Sequence, residues 1–424
     1  MTMIKTSILG FIATLIKMIS GLVINKAISL YVGPAGLALI GQFQNFSQLA
    51  MTAAQGAINT GVTKYTAEYG KDHEKMAVLF STAGKISLIS SVVVGAGIIL
   101  LSKYASIYFF ETIQYEYIFL IFGFTIVLFV INNLLLSIIN GLREIKSWIM
   151  INIIQSVYSL IFTTLLIFLL GIDGALIALV TNQSVILFVV LWIIRKHKLL
   201  NLAIFREKFS KSEAKKLSNF ALMTIITLAS GPASLVMVRN FITKMEGLEA
   251  AGYWQAIWSL STMALLLFMT VIKIYFLPRL SEVDNQSLLR KELMNGIVLF
   301  TLVASFGSLI IYIYREWIVT MLFSKDFLPM VSLFFWQILG SILKVIGTFF
   351  GILLSAKAKN MRVIIVNVIF SFLYVILTYY FYDKMKLEGV VFAFFVTNAC
   401  FLIFVFAISW DILYGQSRDS HSDI

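Results

Sequence analysis

The chain has 424 residues, of which 60% are hydrophobic and 13% are charged, with a formal net charge of +12 and a mean hydropathy of +0.93. This composition excludes an ordinary soluble domain and is typical of a helical membrane protein. The basic residues are spread over short loops rather than gathered in one patch, so the charge does not indicate nucleic-acid binding.

Apolar runs predict the helices. Crossing the hydrocarbon core takes roughly 20 residues, and the runs predict about twelve transmembrane helices. In chain order they are 5–30, 36–66, 79–102, 116–140, 148–170, 172–194, 217–243, 250–278, 293–314, 328–355, 361–382 and 387–413. The first run is too long for a signal peptide and carries Lys17 and Lys26, so we expect it to be retained.

The loop charges predict the orientation. If the N-terminus is cytoplasmic, most lysines and arginines outside the spans fall on the cytoplasmic side, so the positive-inside rule places both termini there. We therefore predict an all-α polytopic membrane protein.

An internal repeat divides the spans into two sets of six. An Ala-Gly pair at 35–36 followed by Gln42 recurs at 251–252 followed by Gln255, and the longest polar connection, 195–216, lies between the two sets. Parallel repeats of this kind flank a transport pathway in many carriers. The predicted parts are an N-terminal bundle (1–194), a cytoplasmic linker (195–216), a C-terminal bundle (217–413) and a cytoplasmic tail (414–424), with a central cavity between the bundles.

Several basic residues fall inside or near the ends of the apolar runs, which hold no acidic residue at depth. They are Lys17, Lys26, Lys64, Lys85, Arg239, Lys273 and Lys344. A charge in the bilayer centre costs roughly 3 kcal/mol or more, so such residues usually face a cavity. An electropositive interior indicates an anionic cargo.

The predicted depth of each cation within its span indicates whether it faces a cavity or has a structural role. Lys17 and Lys344 lie near mid-span, whereas Lys26 and Arg239 lie about one turn from the outer ends and could snorkel outward. Lys85 and Lys273 leave both interpretations open, and Lys64 is predicted to be an interface anchor. Lys17 and Lys26 can share a face only if the first helix bends, for which Ser20-Gly21 is a plausible place.

The second span carries a polar stripe that projects within an arc of about 60° on an ideal helix. Its members are Gln44, Gln48, Gln55 and Asn59. Such a stripe indicates either hydrogen bonding between helices or a wet wall for a hydroxyl-rich cargo. Gln255, beside Trp254 and Trp258, could act similarly.

Few residues in this sequence could form a metal site or a catalytic centre. Cys400 is the single cysteine, and His73, His197 and His421 fall in predicted connections or the tail. No Gly-rich phosphate loop or nucleophile motif is present. We expect no cofactor, no metal and no catalytic residue.

Several short segments resemble the Wzx-type flippases for lipid-linked oligosaccharides, of the multidrug/oligosaccharidyl-lipid/polysaccharide exporter superfamily. They are Gly33-Pro34-Ala35-Gly36-Leu37, Gly61-Val62-Thr63-Lys64-Tyr65, Tyr253-Trp254-Gln255, Leu277-Pro278-Arg279-Leu280-Ser281, Trp336-Gln337, Leu343-Lys344-Val345 and Ala356-Lys357-Ala358. The resemblance implies two six-helix bundles around a central cavity in the bacterial inner membrane. It also implies a cargo of undecaprenyl pyrophosphate carrying an O-antigen or enterobacterial common antigen oligosaccharide, moved to the periplasmic leaflet.

Under this interpretation the candidate pyrophosphate contacts are Lys17, Lys26, Arg239, Lys273 and Lys344, and the candidate sugar contacts are Gln44, Gln48, Gln55, Asn59 and Gln255. The partners would be membrane lipid, the lipid-linked substrate, and possible polymerase and chain-length regulator proteins. The alternatives are a multidrug antiporter of the same superfamily, a membrane polysaccharide polymerase or ligase, and a structural scaffold. An antiporter would favour membrane-embedded carboxylates, and an enzyme would need a larger periplasmic loop.

Overall fold

The structure is a computed structural model that describes residues 3–70, 72–195, 207–283 and 285–414. Within those ranges there are helices and no strand. The helices are α1 (Met3–Tyr31), α2 (Gly33–Ala54), α3 (Asn59–Tyr69), α4 (His73–Leu100), α5 (Ser102–Phe110), α6 (Glu116–Gly141), α7 (Ile145–Ile194), α8 (Lys211–Glu282), α9 (Gln286–Ile313), α10 (Arg315–Leu322), a 3-10 helix (Lys325–Leu333), α11 (Phe334–Ala356), α12 (Asn360–Met385) and α13 (Leu387–Tyr414). Of the predicted linker and tail, 196–206 and 415–424 lie outside the described residues.

The long helices have the length and surface of membrane spans. Nine helices of the described chain are long and apolar enough to cross a bilayer. Large apolar side chains remain exposed on them, for example Val92, Phe306 and Ile403. Exposed apolar surface of this extent fits lipid rather than water, and a helix satisfies its own backbone hydrogen bonds there. The chain is a multi-pass membrane protein, as its composition predicts.

Two of the long helices each contain a sharp break at a glycine. Gly171 in α7 has φ +59°, and Gly247 in α8 has φ +89°. Positive φ is strained for residues with a Cβ but not for glycine. Each break falls where the sequence separates two predicted spans, at 170–172 and at 243–250, so these predicted boundaries are confirmed.

The second predicted span, 36–66, is wrong as a single helix. The chain leaves the helical conformation between α2 and α3, where Gly56 has φ +62° and Ala57 has φ +51°. Two successive residues with positive φ cannot continue a right-handed helix. The apolar run continues across the break, so hydropathy alone does not reveal it.

The described residues form two compact units. The first is drawn from Met1–Gln255 with Val319–Leu328, and the second from Ala256–Ile318 with Pro329–Ile424. The core of the first includes Val62, Leu79, Phe80, Ile138 and Val190. The core of the second includes Ile272, Phe276, Phe349, Leu353 and Phe401.

Three polar side chains tie the start of α8 to the end of α3 in the first unit. Lys216 Nζ donates to Glu213 Oε1 at 2.8 Å and to Tyr69 OH at 2.8 Å, and Tyr69 OH donates to Glu213 Oε2 at 2.7 Å. The hydrogen bonds to Glu213 and then to Tyr69 raise the pKa of Lys216. Burial is the main cause that raises the pKa of Tyr69. The cluster therefore stays intact at neutral pH.

We expect Lys216→Met to lower the thermal midpoint at pH 7 and 9, and by a smaller amount as the pH rises above the ordinary lysine pKa. Because the folded protein raises the pKa of Lys216, its stabilisation is fully present below the ordinary lysine pKa of about 10.4 and is lost as pH rises through the higher folded-state value. The measurement is the midpoint difference from wild type across pH 6–12. Lys215→Met, at the exposed neighbouring position, is the control. A difference that stayed constant up to pH 12 would contradict this account.

Candidate functional site

Arg239 is the centre of a buried polar cluster in the first half of α8. Its side chain is 2% exposed. NH1 donates to Gln42 Oε1 at 3.0 Å, NH2 donates to Gln255 Oε1, and the Trp254 ring centroid lies 5.3 Å from the guanidinium carbon. Amide oxygens are neutral acceptors, so these contacts orient the guanidinium without cancelling its charge. The group can therefore still attract an anion.

The cluster continues from Gln42 towards the surface through two further side chains. Gln42 Nε2 donates to Asn240 Oδ1, and Asn240 Nδ2 donates to Tyr108 OH at 3.3 Å. Gln42 is 3% exposed, whereas Tyr108 is 64% exposed. The chain of hydrogen bonds therefore runs from a buried cation to an accessible aromatic side chain.

A cavity of about 390 Å³ lies beside these hydrogen-bonded side chains, entirely within the first unit. Its lining comprises Ala38, Leu39, Gln42, Tyr108, Phe109, Phe110, Glu111, Arg239, Asn240, Thr243, Lys244 and Leu248. The volume is within the range of small-molecule sites, roughly 300–1,000 Å³. We call it the Arg239 cavity.

A glycine on α2 makes room for one partner of Arg239. A Cβ built on Gly41 would lie 2.6 Å from Gln255 Cδ and 2.8 Å from its Oε1. The small residue thus allows the Gln255 amide to lie against α2, where it can accept from Arg239. Gly41 is therefore a positioning residue for the guanidinium.

We expect Gly41→Ala to weaken binding of inorganic pyrophosphate roughly tenfold, the effect of losing one charge-assisted hydrogen bond. The new methyl group displaces the flexible end of Gln255, while alanine is the better helix former, so we expect the free energy of unfolding to change by less than about 1 kcal/mol. Binding and thermal unfolding measured on the same preparation check both parts. Gly97→Ala, where a Cβ would meet no atom within 4 Å, is the control. Unchanged pyrophosphate affinity in Gly41→Ala would contradict the role of Gly41 in positioning the Arg239 guanidinium.

Lys26 contacts backbone carbonyls near the end of a helix. Its Nζ donates to Thr320 O at 3.2 Å and to Phe323 O, at the end of α10. A cation at a helix C-terminus satisfies carbonyls that lack an intrahelical partner. This arrangement is a helix cap. The helix α1 itself continues through Ser20-Gly21, the site of the predicted bend.

The other predicted cations have varied surroundings. Lys17 is exposed on α1, and Lys273 is exposed on the second unit's part of α8. Lys344 Nζ lies 4.3 Å from the centroid of the Phe401 ring, also within the second unit. An ammonium over an aromatic face is stabilised without a counter-ion. Their roles in cargo binding stay predictions.

Lys85, for which the sequence leaves both a cavity-facing and a structural role open, links α4 to the segment before α8. Its Nζ donates to Glu207 O at 2.5 Å, and Ser81 Oγ donates to the same oxygen at 2.6 Å. Lys64 is exposed and lies 5.0 Å from the Tyr65 ring. Both contacts are structural.

The polar stripe of the second span is divided by the break between α2 and α3. Gln44 and Gln48 are exposed on α2. Asn59 Nδ2 donates to Gln55 Oε1 at 2.7 Å across the break. The common arc of about 60° assumed a continuous helix, so these four side chains do not form one stripe. Their predicted sugar contacts stay a prediction.

Sequence patterns did not reveal two members of the cluster, Asn240 and Tyr108. Asn240 directly follows Arg239, and a polar neighbour of a membrane cation is the signal that could have identified it. Tyr108 lies in a predicted outer loop, where a tyrosine is unremarkable. Among the described residues, no three histidine, cysteine, aspartate or glutamate side chains come together as a possible metal site.

Comparison with known proteins assigns the chain to a family. It matches the family described as "Polysaccharide biosynthesis protein" over residues 3–284. It is 25% identical over 359 residues to the lipid III flippase of Escherichia coli K12, covering 85% of this chain and 86% of that protein. An inward-facing multidrug resistance MATE family transporter of the MOP superfamily has a TM-score of 0.82 at 14% identity, covering 97% of this chain and 99% of the other. A MOP superfamily transporter from Pyrococcus furiosus, described as having a binding pocket of reverse polarity, has a TM-score of 0.72 at 14% identity, with coverage of 96% and 95%.

The chain has the fold of these transporter structures, and its long apolar helices define a multi-pass membrane protein. The chain belongs to the polysaccharide biosynthesis protein family. The resemblance drawn from short sequence segments is thereby confirmed at the level of family and fold.

Proposed function

We propose that this protein is a flippase that moves an undecaprenyl-pyrophosphate-linked oligosaccharide from the cytoplasmic to the periplasmic leaflet of a bacterial inner membrane. The cargo would be an O-antigen unit or the lipid of enterobacterial common antigen. Family membership and similarity to a lipid III flippase support this class of cargo. The proposal includes twelve spans in two six-helix bundles, 1–194 and 217–413, both termini in the cytoplasm, and alternating access to a cavity between the bundles.

The observation that carries the proposal is the buried Arg239 at the wall of a cavity, oriented by two neutral amides. A pyrophosphate cannot cross hydrocarbon unaided, whereas a polyprenyl tail is already soluble there. A guanidinium inside the protein supplies the charge-assisted bonds that replace water around the phosphate oxygens. Arg239 is the principal proposed pyrophosphate contact, with Lys17, Lys273 and Lys344 as further candidates, and Lys26 is assigned to the helix cap.

A multidrug antiporter is the second candidate, because the MATE transporters share the fold. Such a protein would bind organic cations, which a buried arginine repels. Glu111 also lines the Arg239 cavity and is exposed. It is the acidic group that an antiporter would use.

Translocation in proteoliposomes separates the two candidates. We expect wild-type protein to move a fluorescent undecaprenyl-pyrophosphate oligosaccharide to the other leaflet, and to leave an imposed gradient of a cationic dye such as ethidium unchanged. Liposomes without protein give the background. Transport of the dye without movement of the lipid, under an imposed proton or sodium gradient, would favour the antiporter and contradict the flippase.

A further inference from the structure

Five side chains surround the accessible part of the Arg239 cavity, and we call them the cavity rim: Tyr108, Glu111, Asn240, Thr243 and Lys244. Tyr108 and Glu111 come from α5 and the turn that follows it, and the other three from α8 before its break at Gly247. Arg239 and Gln42 lie deeper, at 2% and 3% exposure. The character of the lining therefore changes with depth: a cation lies at the buried part of the cavity, and both charged and uncharged polar groups lie at its rim.

The cavity rim keeps unused hydrogen-bonding capacity. Tyr108 OH accepts from Asn240, so its own proton can still be donated. Asn240 uses one N–H and one lone pair within the protein, which leaves one of each. Within the described part of the chain, the Thr243 hydroxyl, the Glu111 carboxylate and the Lys244 ammonium have no side-chain partner. The rim therefore offers both donors and acceptors at close spacing.

Aromatic side chains adjoin these polar groups. Tyr108 is 64% exposed, and its ring lies 4.9 Å from that of Phe109 in an edge-to-face contact. Phe109 and Phe110 also line the cavity. A surface that combines an accessible amphipathic ring with mixed donors and acceptors matches a pyranose, which has apolar C–H faces and hydroxyl groups around its edge.

The volume limits how much of a cargo the cavity can hold. At about 390 Å³ it is near the small end of ligand sites, roughly 300–1,000 Å³, so it takes one sugar and a phosphate rather than an oligosaccharide. In a lipid-linked oligosaccharide the first sugar is attached directly to the pyrophosphate. The hydrogen-bonded series from Arg239 through Gln42 and Asn240 to Tyr108 has the same order, from anion site to sugar site.

We propose that the cavity rim is a subsite for the first sugar of the cargo, with Tyr108 as its aromatic platform and Asn240 and Thr243 as hydroxyl contacts. This inference rests on the proposed function, because it assumes that the phosphate lies at Arg239. It assigns recognition of that sugar to side chains other than the predicted glutamines of α2. Selectivity for the first sugar would then depend on the cavity rim.

The test is equilibrium binding of soluble probes to full-length protein in lipid nanodiscs, by calorimetry. The probes are methyl phosphate, which lacks a sugar, and the 1-phosphates of glucose, galactose, N-acetylglucosamine and N-acetylgalactosamine. We expect at least one hexose 1-phosphate to bind about tenfold more tightly than methyl phosphate, the effect of one or two additional hydrogen bonds with ring contact. If none of the four exceeds methyl phosphate, the subsite is disproved.

Substitutions at the cavity rim test which side chains bind the sugar. We expect Tyr108→Ala to remove the advantage of the hexose 1-phosphate while methyl phosphate binds as before, and Tyr108→Phe and Thr243→Val each to weaken the sugar phosphate about threefold. Tyr104→Ala, at an exposed position one turn earlier on α5, is the matched control. An equal loss in Tyr104→Ala, or an equal loss for both ligands in Tyr108→Ala, would overturn the proposal.

Arg239→Gln separates this inference from the proposed function. If it abolishes binding of every phosphate probe, the anion role of Arg239 is supported, and the comparison of the two ligands in Tyr108→Ala decides the subsite. If the sugar phosphate still binds in a Tyr108-dependent manner, the subsite stands and the anion role of Arg239 fails. If wild type moves the lipid-linked cargo and depends on Arg239, but Tyr108→Ala does not alter sugar-phosphate binding, the flippase stands and the subsite fails.

Discussion

Arg239→Gln is expected to reduce translocation of a lipid-linked oligosaccharide roughly 100-fold while the protein remains folded. A charge-assisted hydrogen bond contributes about 1.5–3 kcal/mol, and a guanidinium can form two to one phosphate group. Each 1.4 kcal/mol corresponds to a factor of ten, so loss of both bonds gives about this effect. Glutamine removes the positive charge and keeps a polar amide at this position.

The measurement is the initial rate of leaflet exchange in proteoliposomes, normalised to folded protein. Arg239→Lys, which keeps the charge but not the paired geometry, should retain an intermediate rate. Lys103→Gln removes a positive charge from an exposed position on α5 and should leave the rate unchanged. A rate for Arg239→Gln within twofold of wild type would refute Arg239 as the anion contact.

Gly252→Ala is expected to destabilise the protein by about 3 kcal/mol. A Cβ on Gly252 would lie 2.0 Å from Pro34 O and 2.5 Å from Pro34 C, so the backbones of α8 and α2 must separate. Backbone atoms cannot rotate out of the way as a side-chain end can, and overpacking of this kind costs about 1–3 kcal/mol or more. The same close approach brings Gln42 of α2 and Gln255 of α8 to Arg239, so we expect loss of the binding site to accompany the loss of stability.

Gly231→Ala on the same helix is the matched control. A Cβ at Gly231 would meet no atom within 4 Å, so alanine there should stabilise the helix by about 0.5–1 kcal/mol. Thermal unfolding and denaturant titration in detergent measure both variants. Equal midpoints for Gly252→Ala and Gly231→Ala would show that the contact with Pro34 does not constrain the fold.

The sequence alone revealed the helices and the special position of Arg239. Hydropathy is a local property of the chain, and a membrane span must bury about twenty consecutive residues, so runs of apolar residues predicted the long helices. The short helices α5 and α10 lie in segments that were predicted as connections between spans. The runs also predicted span boundaries at 170–172 and 243–250, and the breaks at Gly171 and Gly247 fall there. Arg239 was identified because a charge in such a run is costly and needs an explanation.

The tertiary structure decided which polar groups meet. Arg239 and Gln42 are 197 positions apart, and Asn240 and Tyr108 are 132 apart, so no local pattern relates them. The break after α2 likewise depends on the positive φ of Gly56 and Ala57, within a run whose hydropathy does not change. Lys26 could equally have faced a cavity from its position in α1, and the carbonyls of Thr320 and Phe323 gave it a capping role instead. The energy that holds a membrane helix together is local, whereas the partner of each buried polar side chain is set by which helices pack against one another.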